Sequence, residues 1–176
     1  MNQKIAIIGG GLSGIVLANQ LHKSSIVTVF EKSSGVSGRM ATRSASPFEF
    51  DHGAQFFTSR SDAFKEFLSP YLADEIVTEW RPRILNLEKG KRSFKRLWYE
   101  THYVAQPKMT SLVKAMAASI DIKLKTKIER IERQNDRWSL ISDEEVVGEC
   151  FDWVISAVPA LQAQEIFNAS GVSLAG

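Results

Sequence analysis

The stretch that decides the fold is KIAIIGGGLSGIVLANQLHKSSIVTVFE, residues 4–31. It contains the apolar run Lys4–Ile8, the glycine-rich turn Gly9–Gly14 and a second apolar run, Ile26–Phe30. Between the two runs, apolar residues recur at helical spacing over Leu12–His22. Short β-branched runs of this kind are typical of strands buried on both faces of a parallel sheet. The stretch therefore predicts a strand, a helix and a second strand parallel to the first, joined by a right-handed crossover.

Three glycines in this stretch, Gly9, Gly11 and Gly14, have the spacing of a dinucleotide-binding turn. Gly9 would allow the tight turn, Gly11 would let the backbone approach a pyrophosphate, and Gly14 would let the helix pack close to the strand. The amide groups at the start of the helix, at Leu12 and Ser13, would bind the pyrophosphate along the helix dipole. A glycine-rich turn that binds nothing is the alternative, and the flanking strand and helix favour dinucleotide binding.

An acidic residue, Glu31, ends the second predicted strand, 22 residues after Gly9. A carboxylate at this place can accept hydrogen bonds from the hydroxyl groups of an adenosine ribose. It would also repel a 2′-phosphate, so the sequence disfavours NADP in this site.

The segment Lys32–Arg43 decides which dinucleotide is expected. With Glu31 before it, this segment resembles the acid, small loop, glycines and arginine of the monoamine-oxidase-like flavoproteins. Gly35 and Gly38 allow a tight loop, and Arg39 can add a cation to the pyrophosphate site. The resemblance implies that FAD is the cofactor and that it is contacted by three loop residues besides Arg39: Lys32, Gly38 and Met40. Ser37 stands where the family often has glycine.

The segment Asp51–Thr58, with the sequence DHGAQFFT, narrows the resemblance. After GRMATR at residues 38–43, it is similar to the renalase branch of the FAD-dependent amine oxidase superfamily. The segments Tyr103–Thr110 and Asp152–Ala160 are also similar to that branch. The chain therefore resembles the N-terminal half of a renalase-like FAD-dependent oxidoreductase. The resemblance implies that a further set of residues approaches the cofactor: Gly53, Ala54 and Gln55 near the flavin ring, and the backbone of Ile128 near the adenine.

The resemblance implies an α/β fold in two parts. One is a Rossmann-like FAD-binding domain, with a parallel sheet and a β-meander insertion, over residues 1–58 and 101–176. The other, over residues 59–100, is the first part of a mixed α+β substrate domain. The parallel sheet would hold strands at residues 4–8, 26–30 and 153–158. Because the family's last flavin-binding segment is not in the sequence, we expect little or no oxidase turnover from this chain alone.

The family chemistry would be hydride transfer from a small reduced substrate, a dihydronicotinamide isomer or an amine, to the flavin. Reoxidation by dioxygen would follow, and the flavin carries most of this chemistry. No catalytic residue is assigned, and His52 is interpreted as a structural or exposed residue. Two alternatives stay open: the NAD-binding half of a dehydrogenase, and a dinucleotide-binding fragment without catalytic activity.

The sequence of the middle of the chain predicts further helices and strands. Residues Arg60–Leu72 have the pattern of an amphipathic helix with an N-cap at Ser61 or Asp62. Ile122–Ile131 alternates as one half-buried strand should, and Asn135 and Asp136 form the first turn of the meander. Basic residues cluster over Lys89–Arg96, near Phe94, Trp98 and Tyr99. They fit either a nucleic-acid patch or a solvated hairpin, and the near-neutral charge of the chain favours the hairpin.

The amino-acid composition excludes several classes of protein. The chain has 176 residues, 44% of them hydrophobic, and a net charge of +2. This is ordinary globular composition without a general attraction to nucleic acid or to an anionic membrane. The single cysteine, Cys150, fits a reducing compartment and indicates neither a disulfide nor a metal site. No apolar stretch reaches the roughly 18–20 residues that span a bilayer. We therefore expect a cytoplasmic protein with a small-molecule substrate, and the oligomeric state stays open.

Overall fold

A computed structural model of the chain describes residues 2–95 and 99–172. In chain order, the strands are β1 (Lys4–Ile8), β2 (Ile26–Phe30), β3 (Thr42–Ala45), β4 (Phe48–Asp51), β5 (Phe57–Thr58), β6 (Val77–Trp80), β7 (Leu85–Asn86), β8 (Phe94–Lys95), β9 (His102–Ala105), β10 (Asp121–Lys123), β11 (Arg130–Gln134), β12 (Arg137–Ser142), β13 (Glu145–Phe151) and β14 (Trp153–Ser156). The helices are α1 (Leu12–Leu21), α2 (Asp62–Ala73), α3 (Thr110–Met116) and α4 (Ala160–Ala169).

The chain divides into two compact units. The first unit comprises residues 1–41 and 113–176, and the second comprises residues 42–112. The domains predicted from the sequence, 1–58 with 101–176 and 59–100, stay a prediction, because compactness alone does not say what each part binds.

The first unit is built on a parallel sheet with the strand order β10-β2-β1-β14. β1 pairs with β2 along its whole length and with β14 from Ile5, opposite Trp153, to Ile8, opposite Ser156. This confirms the α/β fold and the predicted sheet, although the third strand ends at Ser156 rather than at residue 158. Unlike β1, this third strand is only partly buried. β14 pairs only with β1 among the described strands, and Trp153 is 57% exposed.

The predicted β-meander is present in the first unit as the antiparallel sheet β11-β12-β13. Its first turn lies at Asn135 and Asp136, which both have positive φ. The meander and the parallel sheet share a buried core, in which Phe30 of β2 meets Phe151 of β13 edge to face, with ring centroids 6.0 Å apart. Burial of such side chains is the main term that stabilises this arrangement.

The prediction of one strand over Ile122–Ile131 was wrong. β10 ends at Lys123, and β11 begins at Arg130 in the other sheet. The chain turns at Lys125, which has a φ of 54°. The backbone N–H of Lys125 then donates to Ser33 O, and that of Thr126 to Glu31 O, both at 2.9 Å. These bonds hold residues 124–129 at the tip of β2, where an uninterrupted strand could not lie.

The second unit contains the sheet β5-β9-β6, the hairpins β3-β4 and β7-β8, and helix α2. Ser61 caps α2 as predicted, since its hydroxyl accepts a hydrogen bond from Phe64 N at 3.3 Å. The basic cluster over Lys89–Arg96 includes strand β8 of the β7-β8 hairpin, whereas Arg96 and the neighbouring Trp98 lie outside the described residues. In the described part of the chain, no helix is both long and apolar enough to cross a membrane.

Candidate functional site

A cavity of about 810 Å³ lies in the first unit, at the carboxyl ends of β1, β2 and β14. This volume is in the range of cavities that take small molecules, and ligands of open α/β sheets bind at this edge. The start of α1, the loops after β2 and β10, and helix α4 complete its walls. Ten of the residues predicted to bind the cofactor line it: Gly9, Gly11, Leu12, Ser13, Glu31, Lys32, Gly38, Arg39, Met40 and Ile128.

The turn between β1 and α1 requires glycine at two places. Gly9 has a φ of 108°, and a Cβ there would lie 2.9 Å from Val158 Cγ1. A Cβ at Gly14 would lie 2.0 Å from the carbonyl oxygen of Gly9. The two residues therefore pack against each other with no room for a methyl group, as the sequence predicted for the close approach of helix and strand.

The floor of the cavity is formed by Gly11 and Gly38, which face each other. A Cβ at Gly11 would meet only the Cα of Gly38, at 3.9 Å, so it would project into otherwise open space. Gly11 is also the N-cap of α1, without a side-chain cap, and its carbonyl accepts the first helical bond, from Ile15 N. The amides of Leu12 and Ser13 at the cavity wall therefore have no acceptor within the helix.

Glu31 is buried, 7% exposed, and both of its carboxylate oxygens are held by backbone N–H groups. Oε2 accepts from Gly10 N at 2.7 Å and Oε1 accepts from Ser33 N at 2.8 Å. Each oxygen of an ionised carboxylate can accept a second hydrogen bond, so Glu31 still has acceptor capacity for a ligand. The carboxylate is thus fixed in position between the glycine-rich turn and the loop after β2. Its contact with a ribose stays a prediction.

Ile128 contributes its backbone rather than its side chain. The side chain is 4% exposed and packs in the core with Ile8 and Phe30. Within residues 2–95 and 99–172, the N–H and C=O of Ile128 form no hydrogen bond with another residue, although the residue lines the cavity. A ligand with a donor and an acceptor on one edge could satisfy both groups.

The structure also adds residues that the sequence did not point to. Thr126 and Lys127 reach the cavity because the chain turns at Lys125, and Gln162 and Glu165 reach it from α4. The Lys32 ammonium donates to Gln162 Oε1 at 3.2 Å. These residues carry no motif, and Gln162 lies 130 positions after Lys32. The sequence predicts the strand before α4 but not the helix itself.

Four predicted residues do not line this cavity. Gly14 lies under the turn, where it packs against Gly9. Gly53, Ala54 and Gln55 lie between β4 and β5 in the second unit, so their place near a flavin ring stays a prediction. His52 is exposed in the same segment. No cluster of potential metal ligands occurs in the ranges 2–95 and 99–172.

The loop after β2 contains a strained residue. Ser37 is 1% exposed and lines the cavity, and its φ of 125° is a conformation that favours glycine. Strain of this kind costs on the order of 1–3 kcal/mol. We expect Ser37→Gly to be more stable to denaturant than Ser37→Ala by about 1 kcal/mol, since both lose the hydroxyl but only alanine keeps the strained Cβ. Urea unfolding of the two variants measures this, and an alanine variant as stable as the glycine variant would show that the backbone is not strained there.

The fold and this site define a class, the Rossmann-like α/β fold with a dinucleotide-type glycine turn. Residues 7–71 match the family model of the NAD(P)-binding Rossmann-like domain. This match begins at the end of β1, spans α1, β2 and the loop with Arg39, and continues through the segment of Gly53–Gln55 into α2.

Solved structures with the same fold include three from microorganisms. A putative protoporphyrinogen oxidase from Exiguobacterium sp. 255-15 has a TM-score of 0.72 at 12% identity, over 96% of this chain and 62% of that one. An oxidoreductase from Methanosarcina mazei has a TM-score of 0.68 at 16% identity, over 95% and 62%. A CLA-producing fatty acid isomerase from P. acnes has a TM-score of 0.71 at 11% identity, over 93% and 60%. The chain thus spans about three fifths of the length of these solved structures, and the likeness shows the fold.

Proposed function

We propose that this chain is the dinucleotide-binding part of an FAD-dependent oxidoreductase of the renalase and amine-oxidase type. The observation that carries the proposal is the cavity at the end of the parallel sheet. It brings the glycine turn, the buried carboxylate of Glu31 and the guanidinium-bearing Arg39 to one place. Two of the three solved structures named above are described as an oxidase or an oxidoreductase, which supports the general reaction class.

The residues of the cavity fit the ADP half of FAD. The open space above Gly11 would take the diphosphate, with the amides of Leu12 and Ser13 as donors and Arg39 as a countercharge. Glu31, held by two backbone amides, would accept hydrogen bonds from the ribose hydroxyls. The backbone of Ile128, which lacks a partner among the described residues, would bind the adenine edge.

FAD, when bound, would accept a hydride from a reduced carbon of the substrate and pass the two electrons to dioxygen, giving hydrogen peroxide. The chain's own part is to bind the ADP half and fix its orientation. The turn with Gly9 and Gly14 and the carboxylate of Glu31 are held in place by backbone contacts in the chain without ligand. Because they are ordered before binding, the entropic cost of binding is lower. The side chains that would select the substrate, a dihydronicotinamide isomer or an amine, are not assigned.

The renalase branch is the finer part of the proposal and rests on sequence. GRMATR at residues 38–43 contains Gly38, Arg39 and Met40, which the structure places at the cavity. The segment Asp51–Thr58 lies at the end of a hairpin held in the second unit. There Asp51 Oδ1 accepts from Thr42 Oγ1 at 2.5 Å and from Met109 N at 3.1 Å. These bonds fix the start of the Gly53–Gln55 segment.

The second candidate is the NAD(P)-binding half of a dehydrogenase, which the description of the matched family model favours. The cavity is compatible with NAD, because the ADP half is common to NAD and FAD. NADP fits less well, since Glu31 would lie against its 2′-phosphate. The loop with Arg39 is the feature of this chain that favours FAD.

An absorbance spectrum of the purified chain, after addition of FAD and removal of the excess, tests the proposal. We expect the flavin bands in the visible region to stay with the protein at close to one flavin per chain. Retention of a nicotinamide dinucleotide in place of flavin would favour the second candidate. A folded chain that retains neither would contradict both and favour a fragment without a cofactor.

A further inference from the structure

The β7-β8 hairpin of the second unit carries a concentration of positive charge that the net charge of the chain does not reveal. Residues 81–95 contain six basic residues and one acidic residue, whereas the whole chain has a net charge of only +2. The rest of the chain is therefore slightly acidic. All six basic residues are exposed: Arg81, Arg83, Lys89, Lys91, Arg92 and Lys95.

Most of these charges are not offset by a carboxylate. Lys91 pairs with Glu88 at 2.5 Å, and Arg81 pairs with Glu79 at 2.6 Å. Both pairs are largely exposed to solvent, where an ion pair contributes little to stability. Within residues 2–95 and 99–172, the other four basic residues of the hairpin form no ion pair: Arg83, Lys89, Arg92 and Lys95. Their positive charge is available to an anionic partner.

Apolar side chains lie exposed among these cations. Side chains alternate over residues 81–87 as in a strand with one solvent face. The half-buried positions are Pro82, Ile84 and Asn86, and the exposed positions are Arg81, Arg83, Leu85 and Leu87. Leu85 is 58% exposed and Leu87 is 80% exposed, and Lys95 lies directly opposite Leu85 in the hairpin. The solvent face of the hairpin, defined by Arg83, Leu85, Leu87 and Lys95, therefore combines two aliphatic side chains with two of these cations.

This combination fits a lipid surface better than a nucleic acid. An anionic bilayer attracts each nearby lysine or arginine, which raises the affinity roughly fivefold, and its headgroup–acyl boundary takes up exposed leucines. Lysine and arginine side chains are long enough to remain at the lipid phosphates while the leucines lie deeper. Single-stranded nucleic acid also attracts cations, but its bases stack on aromatic rings, and leucine has no ring. The exposed leucines therefore favour the lipid surface.

We propose that the solvent face of the β7-β8 hairpin is a docking surface for an anionic lipid membrane. Leu85 and Leu87 enter the boundary between headgroups and acyl chains, and Arg83 and Lys95 stay at the headgroup phosphates. The surface lies in the second unit and shares no residue with the cavity, so the inference is independent of the proposed function.

Co-sedimentation with lipid vesicles tests the inference. We expect the chain to sediment with vesicles of phosphatidylcholine containing about 30% phosphatidylserine, and to bind vesicles of phosphatidylcholine alone at least about tenfold more weakly. Added salt should weaken the binding, because it screens the attraction. Arg83→Gln combined with Lys95→Gln should bind the anionic vesicles at least about tenfold more weakly. Lys23→Gln combined with Lys114→Gln, at two exposed lysines of the first unit, is the matched control and should bind as the unchanged chain does.

A second pair of variants separates the leucines from the charges. Leu85→Ser combined with Leu87→Ser should weaken binding to the anionic vesicles at least about tenfold. It should leave the binding of a single-stranded oligonucleotide unchanged. Leu161→Ser, at a leucine of α4 that is 75% exposed, is the control and should bind the vesicles as the unchanged chain does. Because the substituted side chains are exposed, urea unfolding should show nearly unchanged stability for every variant.

The inference is overturned if the unchanged, folded chain does not sediment with the anionic vesicles. It is also overturned if the leucine variant binds them as tightly as Leu161→Ser does, or if the charge variant binds them as tightly as its control. Binding of the oligonucleotide without binding of the vesicles would assign the surface to a nucleic acid instead.

Discussion

Replacing Gly14 by alanine is expected to destabilise the chain by roughly 3 kcal/mol and to abolish dinucleotide binding. The added Cβ would lie 2.0 Å from the carbonyl oxygen of Gly9 and 3.3 Å from Ala157 Cβ. The first of these neighbours is backbone, so it cannot rotate away. The turn between β1 and α1 must move, and the amides that line the cavity move with it. Urea unfolding and FAD titration of the variant measure the two effects.

Alanine variants at two other glycines show whether the losses of stability and binding are specific to Gly14. Gly35→Ala is the control, since nothing lies within 4 Å of a Cβ there, and it should match the unchanged chain in stability and binding. Gly11→Ala should fold with unchanged stability, because its Cβ would meet only Gly38 Cα at 3.9 Å. It should nevertheless bind FAD at least about tenfold more weakly, because the methyl group occupies the space meant for the diphosphate. A Gly14→Ala variant as stable as Gly35→Ala would contradict the geometry of the turn.

Replacing Glu31 by alanine has the second largest expected effect. It removes the proposed ribose acceptor, which should cost about 1–3 kcal/mol of binding free energy, a loss of roughly five- to 150-fold in FAD affinity. It also removes the acceptor of the Gly10 N–H, which lies 2.7 Å from the buried carboxylate. The chain without ligand should therefore also lose stability, by on the order of 1 kcal/mol or more. Calorimetric titration with FAD and urea unfolding separate the two losses.

Glu49→Ala is the matched control for this variant. Glu49 lies on β4, where it pairs with Lys108 and accepts from Ser44 Oγ. It lies in the second unit and does not line the cavity. Its loss should leave FAD affinity unchanged. Equal dissociation constants for the Glu31 and Glu49 variants would remove the ribose role of Glu31.

The sequence predicted the part of the fold that depends on local signals. The apolar runs at Lys4–Ile8 and Ile26–Phe30 are strands with those bounds, and the glycine turn starts a helix at Leu12. These features follow from residues close in sequence, where strand, turn and helix each need particular side chains. The same signals identified the part of the cavity wall that is made by the ends of these elements, whereas Arg39 and Ile128 came from the family resemblance.

The other parts of the fold and of the cavity depend on contacts between residues far apart in sequence, which no local sequence pattern indicates. The alternation over Ile122–Ile131 looks like one strand, and only the hydrogen bonds to the tip of β2 show why it turns at Lys125. Gln162 and Glu165 reach the site because β14 pairs with β1 and directs α4 toward it. The strain at Ser37 is likewise visible only in the backbone.

Titration of the chain with FAD and with FMN tests the central claim most directly. FMN has the flavin ring and one phosphate but lacks the adenosine, so it cannot use Glu31 or the backbone of Ile128. We predict saturable binding of one FAD per chain and at least about tenfold weaker binding of FMN, since the ribose and adenine contacts together exceed about 1.4 kcal/mol. Equal affinity for the two flavins, or a folded chain that binds neither, would contradict the account of this cavity as an ADP-binding site.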